Sequence, residues 1–156
     1  MKLHRVLLFT SIQMNITPVG NDLHVLLTSD NIPYIGSTVY AKVLPDPAAE
    51  DWDIESSILD EIEEAGEDGE AGALTDADAA GEAGEPVIEL YKIDNHSDAD
   101  SLFCSYVART LAKKTGQNVL CTGGIFAQDP SERDISKLYE NVDEMIHDWT
   151  VFFTDD

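Results

Sequence analysis

Positive charge is scarce in this chain: nine Lys and Arg stand against 31 Asp and Glu in 156 residues, a formal net charge of -22. That scarcity argues against nucleic-acid binding, because counterion release needs clustered Lys and Arg. Cysteine is scarce too. Cys104 and Cys121 form no C-x-x-C pair and no metal-like spacing with the four histidines. They read as two buried, reduced thiols of a cytosolic protein. No stretch approaches the ~18 apolar residues that a membrane helix needs. Lys2 and Arg5 precede the apolar run Val6-Leu7-Leu8-Phe9, but Thr10, Ser11 and Gln13 break it and no small-residue cleavage site follows. The run predicts a strand rather than a signal peptide. The sequons at Asn15 and Asn95 then read as chance matches.

What is abundant is acid, and it is concentrated. Residues 46–85 hold 16 acidic residues and no Lys or Arg, which leaves 15 acids and all nine bases for the other 116 residues, a net charge of -6. The extreme charge therefore belongs to one insert. Residues 1–45 and 86–156 are expected to make one domain, an ordinary size for a single core. The insert is rich in Glu, Asp, Ala and Gly, a composition that cannot offset its ordering entropy and predicts disorder after Ala65. One patch resists: Trp52, Ile54, Ile58, Leu59 and Ile62 fall near helical spacing. They suggest a short helix that docks on the domain or on a partner.

The flanks carry clear periodicities. Residues 3–16 read as one strand, with Ile12, Met14 and Ile16 alternating with polar residues. Residues 17–22 are turn chemistry. Residues 23–28 and 34–44 read as strands that complete a three-stranded meander. Residues 87–93 make a compact β-branched and aromatic strand. Residues 98–115 are the best helix, with Leu102, Tyr106, Val107 and Leu111 as its stripe and Cys104 and Ala108 beside it. Asp98 and Asp100 suit its positive end, Lys113 and Lys114 its negative end, and Gly116 its cap. A strand over 117–126 follows, ending or bulging at Gly123-Gly124. Ser131 caps a second helix whose face is Ile135, Leu138, Val142, Met145 and Ile146, running to about His147. Residues 149–153 are read as an apolar tail, either a last strand or a partner-binding segment. The order predicts an α+β fold: a mostly antiparallel sheet with two amphipathic helices on one face.

No catalytic constellation emerges. Thr122-Gly123-Gly124 lacks the spacing of G-x-G-x-x-G and the Lys of a P-loop, and reads as a strand end or bulge. Cys104 and Arg109 are separated by four residues, not the five of a phosphatase loop, and the cysteine sits on a helix. No G-x-S-x-G is present. His4, His24, His96 and His147 lie on different elements. The insert's many carboxylates have no rigid frame to hold catalytic geometry. The reading is a non-enzyme without cofactor or metal. Candidate partner-binding residues are the basic Arg109, Lys113 and Lys114 and the tail residues Trp149, Val151 and Phe153.

The stretch Tyr106-Val107-Ala108-Arg109-Thr110-Leu111-Ala112-Lys113-Lys114-Thr115-Gly116-Gln117-Asn118-Val119-Leu120 resembles the helix-to-strand segment of the proteasome assembly chaperone 4 family. Leu138-Tyr139-Glu140-Asn141-Val142 through Glu144-Met145 resembles that family's final helix. The likeness spans about residues 97–146. It implies a six-stranded antiparallel sheet with two helices and a heterodimer with a paralogous chaperone. It also implies a non-catalytic role in assembling the 20S proteasome α-subunit ring, in the cytoplasm or nucleus. The insert departs from the family. So does the ending Phe153-Thr154-Asp155-Asp156, which lacks the hydrophobic-Tyr-X signature and disfavours docking of the tail into α-ring pockets. The alternative is a longin- or roadblock-like scaffold subunit of a small-GTPase or trafficking complex.

Overall fold

The computed structural model describes residues 1–45, 85–94 and 98–154. The disorder and the docking helix expected within the insert lie outside these residues. Six strands and two helices follow in the order β1 (Lys2–Val6), β2 (Ser11–Val19), β3 (Asp22–Thr28), β4 (Ser37–Val43), β5 (Ile88–Asp94), α1 (Asp98–Thr115), β6 (Val119–Gly124) and α2 (Glu132–Thr154). They form one sheet, ordered β1-β2-β3-β6-β4-β5. The expected α+β class, with a mostly antiparallel sheet and two helices, is what the chain adopts.

Three details of the sheet differ from the sequence reading. First, residues 3–16 are not one strand. The chain reverses at residues 7–10, where Leu7 N–H bonds Thr10 O at 2.8 Å, and β1 pairs back on β2. The apolar run Val6-Leu7-Leu8-Phe9 therefore spans a hairpin tip rather than a strand interior. Second, β2 runs on through Thr17 and Pro18 to Val19. Pro18 pairs with Leu23 on one side, and β1 does not reach it on the other. Its missing N–H is therefore not required there. Third, the meander stops at β3. β6 inserts between β3 and β4, parallel to β3 and antiparallel to β4. The parallel pair also departs from the all-antiparallel sheet that the resemblance implied. A long excursion through β4, β5 and α1 separates β3 from β6, and no turn signal in the sequence reports such a pairing.

The pleat then sorts the side chains. Ile12, Met14, Ile16, Leu23, Val25, Leu27, Val39, Ala41, Leu90, Val119 and Cys121 are buried on the face that both helices cover. α1 contributes Phe103, Cys104, Val107, Ala108, Leu111 and Ala112; α2 contributes Leu138, Val142, Met145, Ile146 and Trp149. Each fully buried aliphatic side chain is worth about 1.5–3 kcal/mol of transfer free energy. Leu102, expected on the stripe of α1, is exposed instead, and Phe103 takes the inward position and stacks on Tyr139 at 4.5 Å. The stripe is thus one residue out of phase at its N-terminal end.

α1 begins and ends where its sequence signals place it. Gly116 adopts φ +68° and returns its N–H to Ala112 O at 2.9 Å, closing the helix. Ser131 caps α2 as expected. Its Oγ accepts Asp134 N–H at 3.2 Å while Asp134 Oδ2 accepts Ser131 N–H at 3.1 Å, a reciprocal capping box. The tail is corrected. Residues 149–153 are neither a strand nor a loose segment; they are the last turns of α2. The inward series Leu138, Val142, Met145/Ile146 continues at Trp149, and Phe153 stacks on Trp149 one turn later at 4.7 Å. Packing of that series outweighs the modest helix propensity of Val, Phe and Thr.

Candidate functional site

Three exposed surfaces of the domain carry large apolar side chains. The first is the face of the sheet that no helix covers. The alternation that buries one set of residues turns Leu26, Thr28, Leu120, Thr122, Thr38, Tyr40, Tyr91 and Ile93 the other way. Tyr40 and Tyr91 are cross-strand partners with ring centroids 6.3 Å apart. Ile93, on the edge strand β5, is 65% exposed. The half of this face nearest β1 is polar: Lys2, His4, Gln13, Asn15 and Thr17 occupy the equivalent positions. His4 pairs with Asp30, and His24 Nε2 lies 3.3 Å from Thr122 Oγ1. The apolar half is therefore confined to β3, β6, β4 and β5.

The second surface is a cleft of about 520 Å³ where the C-terminal ends of α1 and α2 meet. Lys114, Thr115 and Gln117 line one side; His147, Trp149, Val151 and Phe153 line the other. Four of the six expected partner-binding residues, Lys114, Trp149, Val151 and Phe153, thus come together. Trp149 is only 3% exposed and serves mainly as a wall, while Val151, Phe152 and Phe153 are the exposed apolar groups. Lys113 lies just outside and holds Glu85 Oε2 at 3.3 Å, an exposed pair worth at most about 1 kcal/mol. Arg109 is half-buried and does not line the cleft. The basic residues of α1 consequently do not form one patch.

The third surface is an apolar groove of about 310 Å³ between the N-terminal halves of the helices, rimmed by Leu102, Phe126 and Ile135. Asp100 and Tyr34 form its floor. The carboxylate is buried in the first turn of α1, where it accepts Tyr34 O–H at 2.8 Å and Ile125 N–H at 3.2 Å. Burial and the hydrogen bond to Asp100 push the Tyr34 phenol up to about 12. The sequence suggested only a helix-dipole role for Asp100. Its work in joining α1 to the loops before β4 and after β6 depends on contacts far apart in the chain, with no local signal.

Cys104 and Cys121 are both buried and unlinked. A hydrogen bond with Cys104 and burial raise the Cys121 thiol well above its ordinary value, so the reactive thiolate is disfavoured. Thr122-Gly123-Gly124 ends β6. Gly123 has φ +137°, and a Cβ there would meet the backbone oxygen of Leu27. A Cβ on Gly124 would meet the ring of Tyr34. These glycines serve close packing of strand on strand and strand on loop. Among the described residues no group of three or more His, Cys, Asp or Glu is placed to hold a metal ion, and no helix is long and apolar enough to cross a membrane.

No family model matches the chain, and no curated protein matches it.

Proposed function

We propose that this chain is a non-catalytic assembly chaperone that heterodimerises with a paralogous chaperone and promotes assembly of the 20S proteasome α-subunit ring. The observation that carries the reading is the helix-free sheet face, whose apolar half is lined by Leu26, Leu120, Tyr40, Tyr91 and Ile93. A one-sided sheet with an apolar patch rimmed by polar residues is suited to covering another protein. A specific interface buries about 800 Å² per partner, an area that a four-stranded patch can supply. The helical ending of α2 removes the tail strand as a pairing element, so the sheet face takes the heterodimer role. The helix side, with the exposed Val151, Phe152 and Phe153, remains for a proteasome α subunit. Separate faces would let the chaperone hold its partner while shielding a subunit from wrong neighbours. The family resemblance of residues 97–146 supplies the identity of those partners.

The test is affinity capture of the tagged full chain with mass-spectrometric identification, run beside Ile93→Asp. Proteasome α subunits and a chaperone of similar size are expected with the unaltered chain. The paralogue is expected to be lost with Ile93→Asp, whose exposed site leaves folding intact. Recovery of small GTPases or trafficking subunits in place of α subunits would overturn the proposal in favour of a trafficking scaffold.

A further inference from the structure

The described flanks of residues 46–84 meet at one point. β4 ends at Val43 and β5 begins at Ile88, and Leu44 N–H bonds Val87 O at 3.0 Å. That point adjoins the cleft between the ends of α1 and α2. Glu85 is held by Lys113, the neighbour of the cleft residue Lys114. We propose that this cleft is the docking site of the chain's own acidic segment 51–64.

The segment and the cleft are complementary in chemistry. The segment carries Trp52, Ile54, Ile58, Leu59 and Ile62, with seven acids and no base. From Ile54 the apolar residues recur at i+4, i+5 and i+8, one face of a helix, with the acids largely on the other. The cleft presents Trp149, Val151 and Phe153 as apolar wall, and Lys114 and His147 beside them. Lys113 and Lys114 are two of only nine Lys and Arg in the chain, so this is one of few places where an acidic helix meets adjacent positive charge. The wall also contains a buried acceptor, Gln117 Oε1, which has no hydrogen-bond partner among the described residues. The indole N–H of Trp52 is a donor of the kind it needs.

Length permits the contact. Trp52 lies seven residues beyond Pro45, a reach of up to about 23 Å, roughly two helix diameters. A tether this short holds the segment at roughly millimolar effective concentration, so even weak affinity fills the cleft. The inference concerns this chain alone and stands or falls independently of which partner it serves.

The experiment uses the full chain. Trp149→Phe leaves Trp52 as the single tryptophan, and its quenching by neutral acrylamide is compared with that of a synthetic peptide of residues 46–66. In the chain the quenching constant is expected to be severalfold lower. It should rise to the peptide's value when Val151 and Phe153 are both replaced by Asp, and in molar salt. Because Trp149→Phe alters a buried site, carbodiimide coupling is run on the unaltered chain. It is expected to join Lys114 to an acid within 51–64 in the monomer. Peptide-like quenching of Trp52, with coupling confined to Lys113 and Glu85, would overturn the proposal. So would Lys114 coupling found only between isotopically distinct chains, since the occupant would then be a second copy.

Discussion

Asp100 shows how much one residue can organise. A buried carboxylate is costly unless it is hydrogen-bonded, and here Tyr34 O–H and Ile125 N–H bond it. Tyr34→Phe removes a donor and leaves Asp100 under-satisfied, an expected loss of about 1–3 kcal/mol by urea denaturation. The pH dependence carries a second signature. The folded-state pKa of Tyr34 is raised from 10.0 to about 12. The folded state therefore holds this proton more tightly, and the associated stability is complete below pH 10 and lost as pH rises toward 12. Denaturation midpoints measured from pH 9 to 12 should fall less steeply for Tyr34→Phe than for the unaltered chain; parallel curves would sink this account. Gly123 is a steric case. With φ +137° and Leu27 O in the place of a Cβ, Gly123→Ala is expected to cost about 3 kcal/mol or more. A chain of near-normal thermal midpoint would show that β3 and β6 can part at no cost.

α2 is the element that most changes in meaning between sequence and structure. Its start was legible, because Ser131 after Asp129-Pro130 marks an N-cap by local chemistry. Ser131→Ala should cost about 1 kcal/mol, read from chemical denaturation. The bonds from Ser131 backbone and hydroxyl, with nearby Lys137 and Arg133, hold the Asp134 carboxyl below its ordinary 3.8. A depressed carboxylate stabilises the fold above its unfolded pKa and ceases to do so as pH falls below about 3.8. The Ser131→Ala penalty should accordingly shrink in acid. The end of α2 was not legible from propensity, because Val151, Phe152 and Phe153 read equally well as strand. The deciding signal was the inward series from Leu138 to Trp149, which the helix period continues and the strand period does not. Arg5 of β1 also anchors this helix through Asp148, a contact between residues 143 positions apart.

At the scale of the molecule, a near-ordinary domain is joined to an extreme insert. The insert enters and leaves between adjacent strands, so its length adds only slowly to the entropy of closing the loop. Deleting residues 65–84 removes acids but neither the apolar patch at 52–62 nor any residue of the described domain. The thermal midpoint and partner capture are expected to remain nearly unchanged. Loss of capture with an intact midpoint would place recognition in the insert rather than on the sheet and helices. Two of the exposed apolar regions, the open sheet face and the end of α2, lie on opposite sides of the sheet.

Local facts were readable from the residues alone: the acid-rich insert, the caps and span of α1, the Ser131 N-cap of α2, the strand character of β3, β4 and β5, and the α+β class. Each is encoded by residues within a few positions of one another, through periodicity, capping or charge. The rest depends on how the whole chain packs. That packing split the first strand at a hairpin, placed β6 between β3 and β4, and drew Trp149, Val151 and Phe153 into a helix. It also gathered Leu26, Tyr40, Tyr91, Ile93 and Leu120 from four strands into one face. Strand neighbours are chosen by which pairing buries the most apolar surface under two helices, a property of the whole chain. The candidate surfaces follow from that choice, so the sequence could name Lys114, Trp149, Val151 and Phe153 without showing that they line one cleft. It could not reveal that a further apolar surface lies on the face of the sheet away from both helices.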